Sequence, residues 1–381
     1  KLREYIAKAC QIHSITDFGD LRIFKEASVS TAIFIGQRIA KSNSNVIFTQ
    51  VKSLNLQNLN VKDVITQDGS VLPHNAIIGE NWLLTDNITA KRINQMESAS
   101  IPLSKYVNGE IYYGVKTGFN QAFSIDENIR VKLISENPAS EEIIKPLLEG
   151  KDVDKWNIKY KDRYLLYMYY GIDIKKLDAV ISYLKPYRQQ LEKRATNQEW
   201  YELQQPQMKY STAFDKPKII YPDICQTSRF AFDDKGAFTR DTTFVIPKND
   251  MYLLGVLNST HVWKYLRDTC LDLGQSLRLK NIYMSKIPIP KASEIERKAI
   301  SKLVQKCLDA KGVGCEAWER EIDEIVAGLY GFASETPPLD AKTLGFGKGI
   351  QHEPKVAVLT GKTRKSKQPA NTSALIESDL N

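Results

Sequence analysis

Residues 109–126, Gly-Glu-Ile-Tyr-Tyr-Gly-Val-Lys-Thr-Gly-Phe-Asn-Gln-Ala-Phe-Ser-Ile-Asp, constrain the fold more tightly than any other stretch of this 381-residue chain. Two short β-prone runs, 111–115 and 122–125, flank a loop that holds Lys116, Thr117, Gly118, Asn120 and Gln121. Aromatic and β-branched residues favour paired strands, and a glycine lets the connection turn sharply, so the stretch predicts a hairpin. Its loop displays a cation, a hydroxyl and two amides on a stiff base. That set suits reading the edges of nucleic-acid bases and gripping phosphate. An ordinary hairpin with a polar tip is the plainer reading, and the rest of the chain has to decide between the two.

Composition narrows the choice. A 42% apolar fraction and this length allow two to three folded domains with a sizeable core. Lys and Arg number 53 against 45 Asp and Glu, a formal charge of +8 that mildly favours a polyanionic partner. The five cysteines, Cys10, Cys225, Cys270, Cys307 and Cys315, are scattered with no Cys-x-x-Cys pair. They point to reduced thiols in a cytoplasm, and with four isolated histidines no metal site is expected. No apolar run approaches the roughly 18 residues of a membrane span and no signal peptide is visible, so a cytoplasmic protein without a membrane partner is expected. Lys1 lacks a preceding Met and the first residues read as the middle of a helix, the pattern expected of a fragment.

Along the chain, residues 1–52 read as a helix followed by three β-type runs at 12–18, 31–37 and 45–51, the edge of an α/β sheet too small to bury its own core. Residues 53–108 are polar, apart from an apolar patch at 77–84, and read as a connection. From 109 to 290 the pattern is mixed. It predicts a short helix at 140–148, a strand at 163–170, an amphipathic helix through Leu177, Val180, Ile181, Leu184, Tyr187 and Leu191, a second hairpin of 218–224 and 242–246 turning at Asp233-Asp234-Lys235-Gly236, and a helix at 251–267 capped by Asn249 or Asp250. Residues 291–334 predict an antiparallel helical hairpin opened by the Ser293/Glu296 capping box and stopped at Gly331. The tail, 335–381, is rich in Pro, Gly, Ser and Lys and is expected to be loose.

Three polar, cationic loops stand out within 109–290. The first is the loop described above. Gln226, Ser228 and Arg229 with Thr239, Arg240 and Asp241 flank the second hairpin, and Gln275, Arg278 and Lys280 lie in a third loop between apolar elements. A basic, aromatic run from Lys151 to Tyr164 adds phosphate-gripping and stacking groups, though such runs are most often solvated faces. Catalytic alternatives are thinner. Pro222-Asp223 with Asp233 and Lys235 matches the spacing of a Mg²⁺-dependent nuclease, yet Asp233-Asp234-Lys235-Gly236 also reads as a plain turn. Gly345-x-Gly347-x-Gly349 has neither a strand before it nor a helix after it, so it lacks the context of a nucleotide-binding loop. No catalytic residue is assigned.

Taken in order, several segments resemble the TaqI-like C-terminal specificity domain of adenine-specific DNA methyltransferases and fused type II restriction-modification enzymes. They are Gly114-Val115-Lys116-Thr117-Gly118-Phe119-Asn120-Gln121-Ala122-Phe123-Ser124-Ile125, Ile143-Ile144-Lys145-Pro146-Leu147-Leu148-Glu149-Gly150-Lys151-Asp152-Val153, Lys216-Pro217-Lys218-Ile219-Ile220-Tyr221, Leu253-Leu254-Gly255-Val256-Leu257-Asn258-Ser259 and Lys286-Ile287-Pro288-Ile289-Pro290. The helical ending through Gly331-Phe332 is similar to that of such enzymes and of type I specificity subunits. The start, Leu2-Arg3-Glu4-Tyr5-Ile6 and Ile15-Thr16-Asp17-Phe18-Gly19-Asp20, looks like the last helix and strands of the methyltransferase domain.

The resemblance implies an α+β chain: a β-rich target-recognition domain (109–290) preceded by the edge of a Rossmann-like methyltransferase sheet (1–52) and followed by a helical hairpin. It implies double-stranded DNA and an upstream methyltransferase domain as partners. The cofactor S-adenosylmethionine and the Asn-Pro-Pro-Tyr motif would belong to that upstream domain, with Mg²⁺ needed only if a nuclease is fused, so this chain alone is not expected to transfer methyl groups. Lys116, Thr117, Asn120, Gln121, Arg229, Arg240, Gln275, Arg278 and Lys280 are the expected DNA contacts. Two rivals remain open at this stage: a non-enzymatic specificity subunit that recruits a separate methyltransferase, and the nuclease of Asp223, Asp233 and Lys235.

Overall fold

A computed structural model describes residues 2–332 except 20, 22, 25, 27–28, 30, 39–43, 52–68, 78–81, 83, 86 and 273–275. Most of the apolar patch at 77–84, much of the 53–108 connection, the Gly345 loop and the 335–381 tail therefore lie outside the described residues. So does Gln275.

The helix α1 (Leu2–Ala9) runs into β1 (Cys10–Asp17), which pairs antiparallel with β2 (Ala32–Arg38) and parallel with β3 (Val46–Gln50); β4 (Ser70–Leu72) joins beyond β3. Ile12, Ile15, Val46, Phe48, Leu72 and Ile77 bury one small core of this mixed sheet. Strand β2 is exposed along its whole length, and Ile33, Phe34 and Ile35 remain 42%, 40% and 50% exposed. Side chains alternate across a strand, so apolar surface stands on both faces of that edge.

After α2 (Asn87–Ser98) and β5 (Ser100–Pro102), the chain builds two four-stranded sheets on a shared core. One has the order β15-β8-β11-β7, from β7 (Ser124–Asp126), β8 (Ile144–Leu148), β11 (Arg163–Leu166) and β15 (Phe238–Thr239). The other has the order β14-β12-β16-β6, from β6 (Tyr112–Tyr113), β12 (Lys218–Pro222), β14 (Ala231–Asp233) and β16 (Thr243–Ile246). Two small sheets flank them: β9 (Val153–Asp154) with β10 (Asn157–Ile158), and β13 (Ile224–Cys225) with β17 (Leu271–Asp272) and β18 (Leu277–Arg278). Finally β19 (Pro288–Pro290) returns to pair with β5.

Four of the expected elements take a different form. The runs at 111–115 and 122–125 do not pair with each other: β6 pairs with β16 and β7 with β11, so the intervening loop bridges two sheets. The helix expected at 140–148 is a 3-10 turn (Pro138–Ile143) followed by strand β8, which buries Ile144, Leu147 and Leu148 and exposes Pro146; with adjacent residues 147 and 148 both buried, no clean period separates strand from helix. The strand expected at 163–170 stops at Leu166. The helix expected at 251–267 is two, α3 (Met251–Asn258) and α4 (Thr260–Thr269), because Ser259 is extended (φ −67, ψ 150) and caps the second by accepting from Val262 N.

Other expectations match in whole or in part. Asp250 caps α3, accepting from Leu253 N at 2.9 Å. The segments 218–222 and 243–246 do pair antiparallel, but not as the expected hairpin: β14 and β15 lie between them in sequence, β14 takes the other flank of β12, and the turn at 233–236 leads from β14 into β15. Ser293 and Glu296 form the capping box of α5 (Glu294–Asp309), and α6 (Glu316–Leu329) packs back on it to make the helical hairpin. Helix α3 seats against α5 at Gly255, where an added Cβ would lie 2.5 Å from Ile300 Cγ2. The chain is thus α+β. No helix among the described residues is long and apolar enough to cross a membrane.

Candidate nucleic-acid interface

The loop at 116–121 is fixed from both ends and from beneath. Lys116 and Gln205 exchange backbone hydrogen bonds at 3.0 and 2.8 Å, and Gly118 takes the left-handed turn at φ +76. Thr117 Oγ1 donates to Asn120 Oδ1 at 2.6 Å, closing the turn before the single helical turn Asn120–Phe123. Under the loop, the Arg194 guanidinium spends its donors on main-chain oxygens: Thr117 at 3.0 Å, Glu202 at 2.7 Å, Trp200 and Leu191 at 2.9 Å. A guanidinium with five fixed donors is suited to such a clamp. Asn120 and Gln121 are exposed and Lys116 half-buried above it.

Arg240 stands opposite. Its main chain is locked by Arg240 N donating to Leu148 O at 3.0 Å and by a bridge to Val115. Gly114 makes that approach possible, since a Cβ there would lie 2.1 Å from Arg240 O. Lys116, Thr117, Asn120, Gln121, Gln204 and Arg240 line an open hollow of about 460 Å³. On its other side Arg240 also lines a second hollow of about 400 Å³ with Glu149, Lys151, Asp223, Ile224 and Arg229. One arginine therefore joins two adjoining depressions into a single trough.

Five of the expected DNA contacts, Lys116, Thr117, Asn120, Gln121 and Arg240, share the first hollow, and Arg229 joins Arg240 at the second. Arg278 enters through Asp223, which it pairs at 3.2 Å. Lys280 is exposed just before the short helix Asn281–Met284 and lines neither hollow. Thr117 is 3% exposed and bonded to Asn120, so it shapes the loop more than it presents a group. Arg229 is held by the Gly150 carbonyl at 3.3 Å and Asp154 at 3.2 Å. The buried Asn258 pins the neighbouring chain, donating to Phe230 O at 2.8 Å and accepting from Phe230 N at 3.2 Å and Ser228 Oγ at 2.7 Å.

The basic run has a largely internal use. Lys151 pairs with Glu149, Lys155 with Glu319, Lys159 with Asp154, Lys161 with Asp152, and Arg163 with Glu149 and Asp152. The residues considered for a nuclease are likewise engaged. Asp233 is fully buried; its carboxylate accepts from Lys218 Nζ, from Tyr160 OH at 2.7 Å and from Ala237 N at 3.0 Å. The Lys235 ammonium sits 4.1 Å from the centre of the Tyr160 ring. Among the described residues no three His, Cys, Asp or Glu side chains converge as a metal site would require.

Glu149, Arg194, Gln204 and Asn258 carry no signal of these roles in the sequence. Glu149 lies inside a quoted motif, but a single carboxylate among cations carries no pattern of its own.

Comparison with known proteins bears on this trough. Residues 145–289, which contain Glu149, Arg229, Arg240 and Arg278, match the model of the TaqI-like C-terminal specificity domain. The resemblance read from the sequence holds. The chain is 23% identical over 339 residues to the type II methyltransferase M.BanIII of Aneurinibacillus aneurinilyticus, covering 76% of this chain and 57% of that protein. It therefore spans just over half the length of this curated relative. The structure of the type IIL restriction-modification enzyme MmeI in complex with DNA shares the fold with a TM-score of 0.52 at 16% identity, over 89% of this chain and 45% of that one.

Proposed function

We propose that this chain reads a short double-stranded DNA sequence for a restriction-modification methyltransferase, one that transfers a methyl group from S-adenosylmethionine to adenine in a bacterial-type cytoplasm. The observation that carries this reading is the trough, in which exposed amides and a lysine face a main-chain-locked arginine beside the segment that matches the specificity family. Arginine and amide side chains pair bidentately with guanine and adenine edges, whereas lysines mainly hold phosphate. Asn120, Gln121 and Arg240 are the readers in this scheme; Lys116 and Lys280 grip the backbone.

Methyl transfer is assigned elsewhere. An Asn-Pro-Pro-Tyr motif is absent from these residues, so the adenine and the cofactor would be held by a domain outside them. The apolar faces of β2 are the surface against which such a domain would continue the sheet, because an edge strand with apolar groups on both sides is exposed to pairing.

Titration of a labelled duplex tests the reading. Affinity is expected to fall steeply between 50 and 200 mM salt, by about a factor of 10³ if six phosphates are neutralised. Asn120→Ala is expected to relax preference at one base position by about 1–3 kcal/mol. Absence of binding at the lowest salt contradicts the proposal.

A further inference from the structure

Both hollows set cations beside carboxylates: Asp241 lines the first, and Glu149 and Asp223 line the second. Glu149, at the end of β8, gathers three cations on one carboxylate that is only 13% exposed. Oε2 meets Lys151 at 2.7 Å and Arg163 at 3.3 Å, while Oε1 is taken by Arg240 NH1. Asp152, three residues on, fixes this turn by accepting from Glu149 N at 2.9 Å and by holding Arg163 at 2.7 Å. A site meant only to grip phosphate gains nothing from a half-buried carboxylate, which weakens attraction for a polyanion. The same carboxylate anchors the Arg240 guanidinium through Nη1, while Nη2 lies 4.0 Å from Asp241 Oδ1, and this side chain lines both hollows.

We propose that Glu149 is a positioning residue that aims Arg240 at a guanine edge, trading overall DNA affinity for discrimination at that base pair. This inference rests on the DNA-reading function above. The charge state of Glu149 is consistent with it: burial pushes its pKa up, but the Lys151, Arg240 and Arg163 cations outweigh burial and hold it below its ordinary value, so the group is ionised at neutral pH. Arg240 retains its main-chain locks, so loss of Glu149 frees only the side chain.

The full chain is first used to select its preferred duplex, and affinity is then measured for that duplex, for the same duplex with each guanine replaced in turn, and for a random-sequence duplex. Glu149→Gln is expected to bind the random duplex more tightly by a few-fold while losing about tenfold of its discrimination at one guanine. Arg240→Lys keeps the charge but loses the planar fork, and is expected to lose discrimination at the same guanine with random-duplex affinity within about twofold. A thermal melt accompanies each variant; if Glu149→Gln does not fold, Arg240→Lys and Glu149→Asp decide. The aspartate keeps the charge but falls one methylene short, so it is expected to recover random-duplex affinity but not discrimination. Full discrimination in Arg240→Lys, or in a folded Glu149→Gln, overturns the inference while leaving the DNA-reading function intact. A wild-type chain that selects no sequence removes that function and the inference with it.

Discussion

Gly114 and Arg240 show how narrow the tolerance is where the trough is built. The two backbones touch so closely that no side chain fits at position 114. Gly114→Ala is expected to cost at least about 1–3 kcal/mol, the range for overpacking, and to disturb the loop beside it; urea unfolding and DNA titration read the two effects. A second buried contact has a larger stake. Lys218 and Asp233 are both fully buried and face each other, and burial pulls the Lys218 pKa down against the opposing pull of Asp233. Lys218→Met leaves an uncompensated carboxylate and is expected to destabilise by about 3–5 kcal/mol, seen as a lower urea midpoint; a change under about 1 kcal/mol contradicts the pairing. At this scale the accessible polar groups lining the first hollow were legible, because Lys116, Asn120 and Gln121 fall together in a Gly-bounded loop. Glu149 and Arg194 were not, since their meaning lies in partners 91 and 77 positions away in sequence.

At the scale of elements, the failures follow from burial. Strand β8 buries Ile144, Leu147 and Leu148 and carries the exposed Pro146, which suggested a broken helix, yet it is central to the sheet, between β15 and β11. The loop at 116–121 was recognised as a loop, but its flanking strands sit in different sheets, a long-range choice that local propensity does not encode. The helical hairpin was legible because its capping box and apolar seam are local signals. What the sequence left out is how that hairpin docks. Trp156 is buried in the left-handed region at φ +64, its indole N–H donates to Glu319 of α6, and Lys155 pairs with the same carboxylate at 2.8 Å. Glu319→Ala strands a buried indole donor and is expected to cost about 1–3 kcal/mol. Faster amide exchange in both α6 and the 154–158 turn is the expected signature; exchange confined to α6 contradicts a shared dock.

Over the whole molecule, the net charge of +8 is a poor guide to the site, because most of the basic run from 151 to 163 is neutralised by neighbouring carboxylates. The polarity of the trough instead depends on how cations and acids are ordered around Glu149. Its pKa lies lower in the folded chain than its ordinary 4.5, so its contribution to stability is complete above that value and is lost as pH falls through the lower folded-state value. Denaturation midpoints for the wild type and Glu149→Gln are therefore expected to converge on acidification below 4.5 and to stay apart at neutral pH. Selection of this chain's ligands from a pool of random duplexes, repeated across a salt series, asks whether it reads sequence at all. Enrichment of one short motif, with log affinity falling linearly against log salt, is the expected result. Even recovery of every sequence, or no binding at the lowest salt, would contradict it.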